Sequence, residues 1–452
     1  MRLRKTITTI VATAILLAGW QLFAVIANQP ELIPSLPRLV RTLCEWLVSS
    51  SFYQSVGATI LRGILGMSIS FVCAIGMAGL FARFEWVYEL FRPLLAIMRS
   101  IPVISFILLA LIFLNPESIP LMIAFLTMFP LLTENLTRGI LDLRPGLSIM
   151  ARQFHIRRSN VLFQIIYPQL KPFLYSGLAS AAGFGWRAII MGEVLSQCAF
   201  GIGSEMKRAQ NFIAVPELLA WTIVAVFISF FFDKGISKVA DITPKISFAN
   251  EDQTIPTPTL SVLDTKDISY QYGIQHFSHS FQKGIIYGIS APSGKGKTTL
   301  LNLIGGILLP TEGEIHPTRH FGIATIFQQP QLLPHLTAEE NIILSLSSFL
   351  TEEKARRIAQ KHLQEMEMEP FGNRYPKELS YGQQQRIAIA RALAYPSPLL
   401  LMDEPFKGLD EALSHRIIER IREMQMKEER IILFTSHNPD EIRLLADEVI
   451  YL

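Results

Sequence analysis

Cysteine is scarce in this chain of 452 residues, which contains only Cys44, Cys73 and Cys198. Their spacing fits no metal-binding pattern, and two of them lie in apolar surroundings, so we expect them to have no functional role. This scarcity excludes a cysteine-based metal site. Internal repeats and low-complexity tracts are absent from the sequence as well.

Charge is also scarce, because charged residues make up 17% of the chain and leave a net charge of +3. So weak a balance, without a basic patch that carries aromatic residues, argues against a nucleic-acid partner. Hydrophobic residues make up 50% of the chain. The chain is therefore too apolar for an ordinary soluble enzyme, and it is too long for one domain.

The apolar residues are concentrated in the first part of the sequence, in runs that approach the roughly 20 residues needed to cross a bilayer. These runs comprise residues 7–27, 60–82, 94–114, 119–132, 174–194 and 218–232. We predict about six membrane helices, of which the third and fourth are interrupted by Pro102 and Pro130. The first run follows Arg2, Arg4 and Lys5 and could be a secretory signal, but its length and the lack of a clear cleavage site favour a retained helix.

The charges indicate how the membrane part is oriented. Between residues 138 and 171, six basic residues accompany a single acidic residue. The positive-inside rule places such a loop in the cytoplasm. Six crossings from a basic N-terminus return the chain to the same side, so we predict a multi-pass protein of the cytoplasmic (inner) membrane with its C-terminal part in the cytoplasm.

A polar stretch with Thr-Pro repeats separates the two parts of the chain and favours an extended linker. We predict a membrane domain in residues 1–240, this linker in 241–258 and a globular domain in 259–452. In the globular part, short apolar strands alternate with helical stretches. This alternation argues for an α/β domain around a largely parallel sheet.

A glycine-rich segment of the globular domain follows a strand and opens a helix, which is the context of a phosphate-binding loop. The segment comprises Ser293, Gly294, Lys295, Gly296, Lys297, Thr298 and Thr299. Its glycines let backbone N–H groups converge on phosphate oxygens, and the helix N-terminus adds partial positive charge. Lys297 would reach the β and γ phosphates of ATP, and the Thr298 hydroxyl would bind Mg²⁺. Ala291 stands where the usual pattern has its first glycine.

Two adjacent carboxylates, Asp403 and Glu404, follow the apolar run 399–402. Alone, such a pair is most often a solvated turn. At the end of a strand in the same domain as a phosphate loop, it favours catalysis. Asp403 would hold Mg²⁺, and Glu404 would polarise the water that attacks the γ-phosphate.

The globular domain resembles the nucleotide-binding domain of ATP-binding cassette (ABC) transporters, which has an α/β P-loop NTPase fold. Residues 379–383 resemble the LSGGQ signature of that family. The resemblance implies that Ser380, Gly382 and Gln383 bind nucleotide, Gln328 is the Q-loop residue at the metal and the catalytic centre, His437 is the catalytic switch histidine, Asp410 is the D-loop aspartate, and Tyr272 stacks on adenine.

The chain departs from the family pattern at two further places. Tyr381 replaces the first signature glycine, which brings a bulky side chain close to the nucleotide of the opposing subunit. Residues 407–410 read Lys-Gly-Leu-Asp where the family more usually has Gly-Ala-Leu-Asp. Neither change removes a group that the chemistry requires. We predict a working but slow ATPase, and an unchanged hydrolysis rate after Tyr381→Gly would refute the slowing effect of Tyr381.

The membrane part resembles importer permeases of the nitrate, sulfonate and taurine group, which carry a cytoplasmic segment whose helix docks on the ATPase. Ala151, Ile165 and Pro168 keep the residues expected at that spacing. The resemblance implies that permease and ATPase are fused in one chain. Arg187 and Glu193 interrupt an apolar stretch, and they either line a pathway, with Arg187 suited to an anion, or snorkel at the interface.

The resemblance also implies partners and a function. The working unit would be a homodimer in the lipid bilayer with two composite ATP sites, served by an extracytoplasmic solute-binding protein. It would import a small solute, such as a sulfonate, nitrate or a vitamin precursor. Two alternatives are an exporter half-transporter and a membrane-anchored regulatory ATPase that transports no solute.

Overall fold

The computed structural model describes residues 2–240, 244–253, 260–271, 273–292, 294–317 and 322–452. Of the predicted site residues, Tyr272 and Ser293 lie outside the described residues, as do parts of the predicted linker. The chain forms two compact units. The first comprises Met1–Leu143 and Gln169–Thr243, and the second comprises Arg144–Pro168 and Pro244–Leu452.

The N-terminal half of the chain is helical, as predicted. In chain order its helices are α1 (Arg2–Ala27), α2 (Leu36–Trp46), α3 (Ser50–Arg83), α4 (Glu85–Ser100), α5 (Val103–Phe113), α6 (Ile119–Leu141), α7 (Pro145–Gln153), α8 (Arg158–Asn160), α9 (Tyr167–Ser196), α10 (Ile202–Asn211) and α11 (Val215–Ala240). A π-helical stretch, Val161–Ile166, connects α8 to α9. Helices α7 and α8 belong to the second unit.

Among the described residues, four helical stretches are long and apolar enough to cross a membrane. They are Ser50–Arg83, Pro116–Leu141, Arg158–Ser196 and Val215–Lys238. The pair α4 and α5, bent by 95° at its break, makes a fifth if it is one span. In α1 the apolar stretch Val11–Ala27 is shorter than these four. The six predicted apolar runs therefore all fall on helices, although they differ in length.

The two prolines predicted to interrupt helices behave differently. Pro102 lies between α4 and α5, where the residue before a proline disfavours helix. Pro130 lies inside α6, which continues to Leu141, so the predicted interruption there is wrong. Proline is tolerated within membrane helices because neighbouring groups satisfy the freed backbone positions.

A stripe of small residues allows α3 and α6 to approach closely. A Cβ at Gly66 would lie 2.6 Å from the Cβ of Ala124. Ser70, Ala74 and Ala78 continue this buried stripe along α3 at intervals of four residues. In lipid, where burial of apolar surface gives little driving force, close backbone contact of this kind holds helices together.

Glu193 is fully buried near the end of α9. Its carboxylate pairs with Arg62 over 2.7 Å and accepts hydrogen bonds from the Thr59 hydroxyl and the backbone N–H of Gly203. Burial excludes the snorkelling interpretation for Glu193, since this charge is neutralised inside the first unit. Arg187 is exposed and takes no part in this cluster.

The second unit contains two sheets. Its strands are β1 (Val262–Tyr270), β2 (Ile274–Gln282), β3 (Ile286–Ser290), β4 (Glu312–His316), β5 (Ala324–Ile326), β6 (Leu399–Asp403), β7 (Ile431–Thr435) and β8 (Glu448–Tyr451). Strands β5-β6-β7-β3-β8 form a parallel sheet in that order, and β2-β1-β4 form an antiparallel sheet. The predicted fold class is confirmed: a helical membrane domain precedes an α/β domain with a largely parallel main sheet.

Helices cover the sheets of the second unit. They are α12 (Lys297–Ile304), α13 (Ala338–Leu346), α14 (Glu352–Glu365), α15 (Tyr381–Ala394), α16 (Glu411–Glu428) and α17 (Pro439–Leu445). All five residues of β6 and of β7 are buried. Because the strands are parallel, the segments that follow β3, β6 and β7 emerge at one edge of the sheet, where α/β folds place ligands.

The loop between α6 and α9 packs within the second unit. Phe154 is fully buried and meets the edge of the Tyr395 ring, with centroids 5.1 Å apart. Gln153 Nε2 donates to the carbonyl of Gly305 over 2.7 Å, and Asn160 Nδ2 donates to Ser347 Oγ over 2.9 Å. The segment predicted to dock on the ATPase therefore shares its hydrophobic core. The contiguous boundaries given above for the domains stay a prediction.

Candidate functional site

The glycine-rich segment is shaped by two residues in the left-handed region. Gly294 has φ +81° and Gly296 has φ +89°, conformations that side chains rarely adopt. A Cβ at Gly296 would also lie 2.6 Å from the carbonyl oxygen of Gly273. The loop leads directly into α12. The first N–H groups of a helix have no partner within it, and together with the helix dipole they favour an anion at its start. Lys295 is exposed on this loop, and Thr299 follows within the first turn of α12.

Lys297 is buried, although lysine rarely is. Its Nζ donates to the carbonyl of Ala291 over 2.7 Å and lies 3.4 Å from Nδ1 of His437. Because an ammonium can only donate, Nδ1 of His437 accepts and the proton of a neutral ring is assigned to Nε2. Lys297, in the helix after β3, and His437, in the segment after β7, therefore lie next to each other.

Asp403 ends β6 and is fixed by two hydroxyl groups. Thr435 donates to its Oδ1 over 2.8 Å, and Thr298 donates to the same oxygen over 3.2 Å. Burial raises the pKa of Asp403 above its ordinary value, and these two hydrogen bonds offset that effect only in part. Hydroxyl and carboxylate oxygens from α12 and β6 converge here, and Mg²⁺ prefers such ligands.

Glu404 follows Asp403 with φ +48°, a strained conformation for a residue other than glycine. Its backbone N–H donates to the Thr435 hydroxyl over 3.0 Å. Its Oε1 lies 2.9 Å from Nε2 of His437, and its Oε2 lies 3.1 Å from Nζ of Lys407. Burial would raise the pKa of Glu404, but hydrogen bonds from Lys407 and Gln328 and nearby positive charge lower it overall. The carboxyl group is therefore held ionised.

The predicted signature residues start α15. Ser380 and Gln383 form a capping box, in which each side chain bonds to the backbone N–H of the other. Gly382 approaches the turn after β6 so closely that a Cβ would lie 2.6 Å from the Gly408 carbonyl oxygen. Asp410 caps α16 by accepting from the N–H of Leu413 over 2.9 Å. Within one chain, Ser380, Gly382 and Gln383 form the polar start of α15, with Ser380 exposed, and Asp410 forms the start of α16.

Tyr381 bonds to its own cassette. Its Oη donates to the carbonyl of Gln328 over 2.7 Å, and its side chain is 41% exposed. The Tyr381 ring also lies against Gly408, where an added Cβ would be 2.7 Å from Cδ1 of the ring. The steric effect on an opposing subunit stays a prediction, but the two departures from the family pattern contact each other.

The sequence prediction missed Thr435 and Lys407. Thr435 pairs in register with Asp403 across parallel strands, so its place beside a strand-end carboxylate was a detectable signal. Lys407 was recognised only as an unusual residue. Its ion pair with Glu404 depends on the turn after β6, which the sequence does not specify.

Two family models match the chain. Residues 55–233 match "Binding-protein-dependent transport system inner membrane component", and residues 274–407 match "ABC transporter". The two matches fall in the helical part and in the α/β part of the chain respectively.

Curated relatives match the α/β part. The chain is 35% identical over 189 residues to the Fe(3+) ions import ATP-binding protein FbpC of Rhizobium etli, which covers 40% of this chain and 54% of that protein. It is 34% identical over 205 residues to the thiamine import ATP-binding protein ThiQ of Yersinia pseudotuberculosis, covering 42% of this chain and 86% of that protein. The chain thus spans about half the length of the FbpC relatives.

Among solved structures, the chain is similar to a dimeric ATP-binding cassette in a post-hydrolysis state bound to ADP and Pi. The sequence identity is 31%, the match covers 42% of this chain and 94% of that chain, and the TM-score is 0.40.

Proposed function

The chain belongs to the ABC transporter family, and on that premise we propose that it is an ATP-driven importer of a small solute across the cytoplasmic membrane. The observation that carries the proposal is the presence, in one chain, of a binding-protein-dependent permease match and an ATP-binding cassette match. An exporter half-transporter is not favoured, because the permease match is to components of binding-protein-dependent systems.

The cassette residues support ATP hydrolysis. Lys297 and the N–H groups at the start of α12 would bind the phosphates, and Thr298, Asp403 and Gln328 would hold Mg²⁺. Bound Mg²⁺ would neutralise charge that develops on the β and γ phosphates. We assign ATP and Mg²⁺ as the cofactors of this site.

Glu404 would act as the general base. It would accept a proton from the attacking water as the water oxygen bonds to the γ-phosphorus and the bond to the ADP oxygen breaks. His437 holds Oε1 of Glu404 at 2.9 Å and keeps the carboxylate beside Lys297. One side chain from the segment after β7 thus orients the base that follows β6 and also contacts the lysine of the phosphate loop.

The loop of residues 144–168 would couple the cassette to the membrane helices. Phe154, Gln153 and Asn160 bind it to the rest of the second unit, and the same loop joins α6 to α9 along the chain. Motion of the cassette would therefore pull on the ends of two membrane helices. Hydrolysis would reset the motion.

We further propose a homodimer. One chain supplies one phosphate loop and one signature, and by family resemblance ATP binds between the loop of one cassette and the signature of another. Ser380, Gly382, Gln383 and Asp410 would meet the partner's nucleotide. An extracytoplasmic solute-binding protein would deliver the solute.

The solute class rests on the membrane part. Its resemblance to nitrate, sulfonate and taurine permeases supports a small anion or a vitamin precursor. The cassette relatives named for Fe(3+) and for thiamine are 35% and 34% identical to this chain, so similarity in the cassette does not select a solute.

Solute accumulation in proteoliposomes tests the proposal. Vesicles with ATP at the cassette face would receive candidate binding proteins outside, loaded with labelled taurine, alkanesulfonate, nitrate, thiamine or Fe(3+). We expect ATP-dependent accumulation of one solute, which Glu404→Gln abolishes. Efflux of a loaded solute would support export instead, and hydrolysis without any solute movement would support a regulatory ATPase.

A further inference from the structure

Both oxygens of the Glu404 carboxylate are engaged by positively charged or donating groups. His437 Nε2 lies 2.9 Å from Oε1, and Lys407 Nζ lies 3.1 Å from Oε2. The Glu404 side chain is 15% exposed, whereas that of Lys407 is 52% exposed. Lys407 therefore reaches from the surface onto a carboxylate that is largely buried, unlike a salt bridge between two solvated side chains.

The turn after β6 places Lys407. Its backbone N–H donates to the Glu404 carbonyl over 3.2 Å, which closes the chain back on itself. The next residue, Gly408, has φ +78° and leaves no room for a Cβ beside the Tyr381 ring. Tyr381 in turn bonds to the backbone of Gln328. The turn that carries Lys407 is thus fixed by a ring and a hydrogen bond.

We propose that Lys407 is an additional positioning residue of the hydrolytic site, which holds Glu404 by one oxygen and restrains it from the attacking water. The inference rests on the proposed role of Glu404 as general base. A base needs a free acceptor position on its carboxylate within hydrogen-bond reach of the water. His437 takes one acceptor position on Oε1, Lys407 takes one on Oε2, and Gln328 also donates to the carboxylate. Three of the roughly four acceptor positions are therefore filled, and release of Lys407 frees one for the attacking water.

The other charged groups around Glu404 leave this role to Lys407. Asp403 and Glu441 are acidic, and Lys297 is bonded to the Ala291 carbonyl on the phosphate loop. Lys407, Gly408 and Tyr381, whose ring contacts Gly408, all lie where the chain departs from the family pattern. Together they restrain Glu404 through the turn that connects it to Asp410.

The test is the steady-state ATPase activity of the full chain in lipid nanodiscs with Mg²⁺ and ATP. We expect Lys407→Met to raise kcat roughly twofold to fivefold, the range that opening a half-exposed ion pair allows, with KM for ATP unchanged. Lys407→Arg keeps the charge and should restore the wild-type kcat. Lys427→Met, an exposed lysine on α16, is the matched control and should leave both constants unchanged.

A purely structural role for Lys407 would lower kcat or raise KM, and either result, or an unchanged kcat, would overturn the proposal. Lys407→Gln repeats the test with a polar side chain if the Met variant does not fold, and the same rise in kcat is expected. The proposed role of Glu404 fails by a different result. If Glu404→Gln hydrolyses ATP as fast as the wild type, Glu404 is not the base, and the Lys407 proposal is refuted with it.

Discussion

The Thr298 hydroxyl donates a hydrogen bond to the Asp403 carboxylate over 3.2 Å, which joins the first turn of α12 to the end of β6. Thr435 donates to the same carboxylate oxygen from β7. Three elements distant in sequence therefore fix one buried carboxylate beside the phosphate loop. Two of the residues proposed to hold Mg²⁺, Thr298 and Asp403, are thereby held in contact.

Replacing Asp403 by Asn should remove the metal-binding charge while keeping the shape of the side chain. We expect Mg²⁺-dependent hydrolysis to fall by at least about 100-fold, as for the loss of a group that stabilises charge in the transition state. A Mg²⁺ titration of the ATPase rate measures the effect. Asp440→Asn, an exposed carboxylate on α17, is the control. Retention of more than half the activity in Asp403→Asn would contradict the assignment.

Glu404→Gln should separate binding from chemistry. The amide keeps the size of the side chain but cannot accept the proton, so hydrolysis should fall about 100-fold to 10,000-fold while ATP still binds. Single-turnover hydrolysis and equilibrium binding of ATP give the two values. Glu419→Gln, exposed on α16, should behave as wild type. A Glu404→Gln protein that hydrolyses normally would require another base.

Phe154→Ala should loosen the loop of residues 144–168. Phe154 is fully buried against Tyr395 and under the guanidinium of Arg391, so its truncation should cost about 3–5 kcal/mol. Scanning calorimetry should show a lower unfolding temperature of the second unit. Phe163→Ala, in the same loop but exposed, is the matched control. Equal effects of the two substitutions would show that the buried contact does not hold the loop.

His362 should make the cassette less stable in mild acid. Burial lowers its pKa below the ordinary value of 6.5, although Glu365 acts in the opposite direction. The unfolded state therefore binds the proton more tightly than the folded state does. The contribution of neutral His362 to the free energy of unfolding is fully present above about pH 6.5 and is lost as the pH falls through the lowered pKa. Calorimetry should show a lower unfolding temperature of the second unit at pH 5.5 than at pH 7.5. This difference should be smaller in His362→Gln. The exposed control His415→Gln should show the same difference in unfolding temperature as the wild type. An unchanged difference in His362→Gln would show that another group causes the loss of stability in acid.

Local patterns made much of the fold predictable. The alternation of strands and helices and the apolar runs depend on neighbouring residues, and they gave the two parts of the chain correctly. Pro102 marked a real break, but Pro130 did not, because satisfaction of the backbone inside α6 depends on surrounding helices that the sequence does not place.

The site divides in the same way. The residues of the phosphate loop and of the Asp403–Glu404 pair stand out because their motif fixes their local backbone. The contacts of Thr435, Lys407 and Tyr381 depend on strand register and on one turn, so they became visible only in three dimensions. The burial of Glu193 against Arg62, 131 residues away, is a long-range pairing of the same kind.

The most direct test of import is the ATPase rate of the purified chain in lipid nanodiscs, with and without candidate binding proteins loaded from a solute panel. Glu404→Gln provides the blank. The proposed importer predicts that one loaded binding protein stimulates a Glu404-dependent rate, whereas the same protein without solute stimulates it less. A Glu404-dependent rate that is indifferent to every loaded form would contradict binding-protein-dependent import.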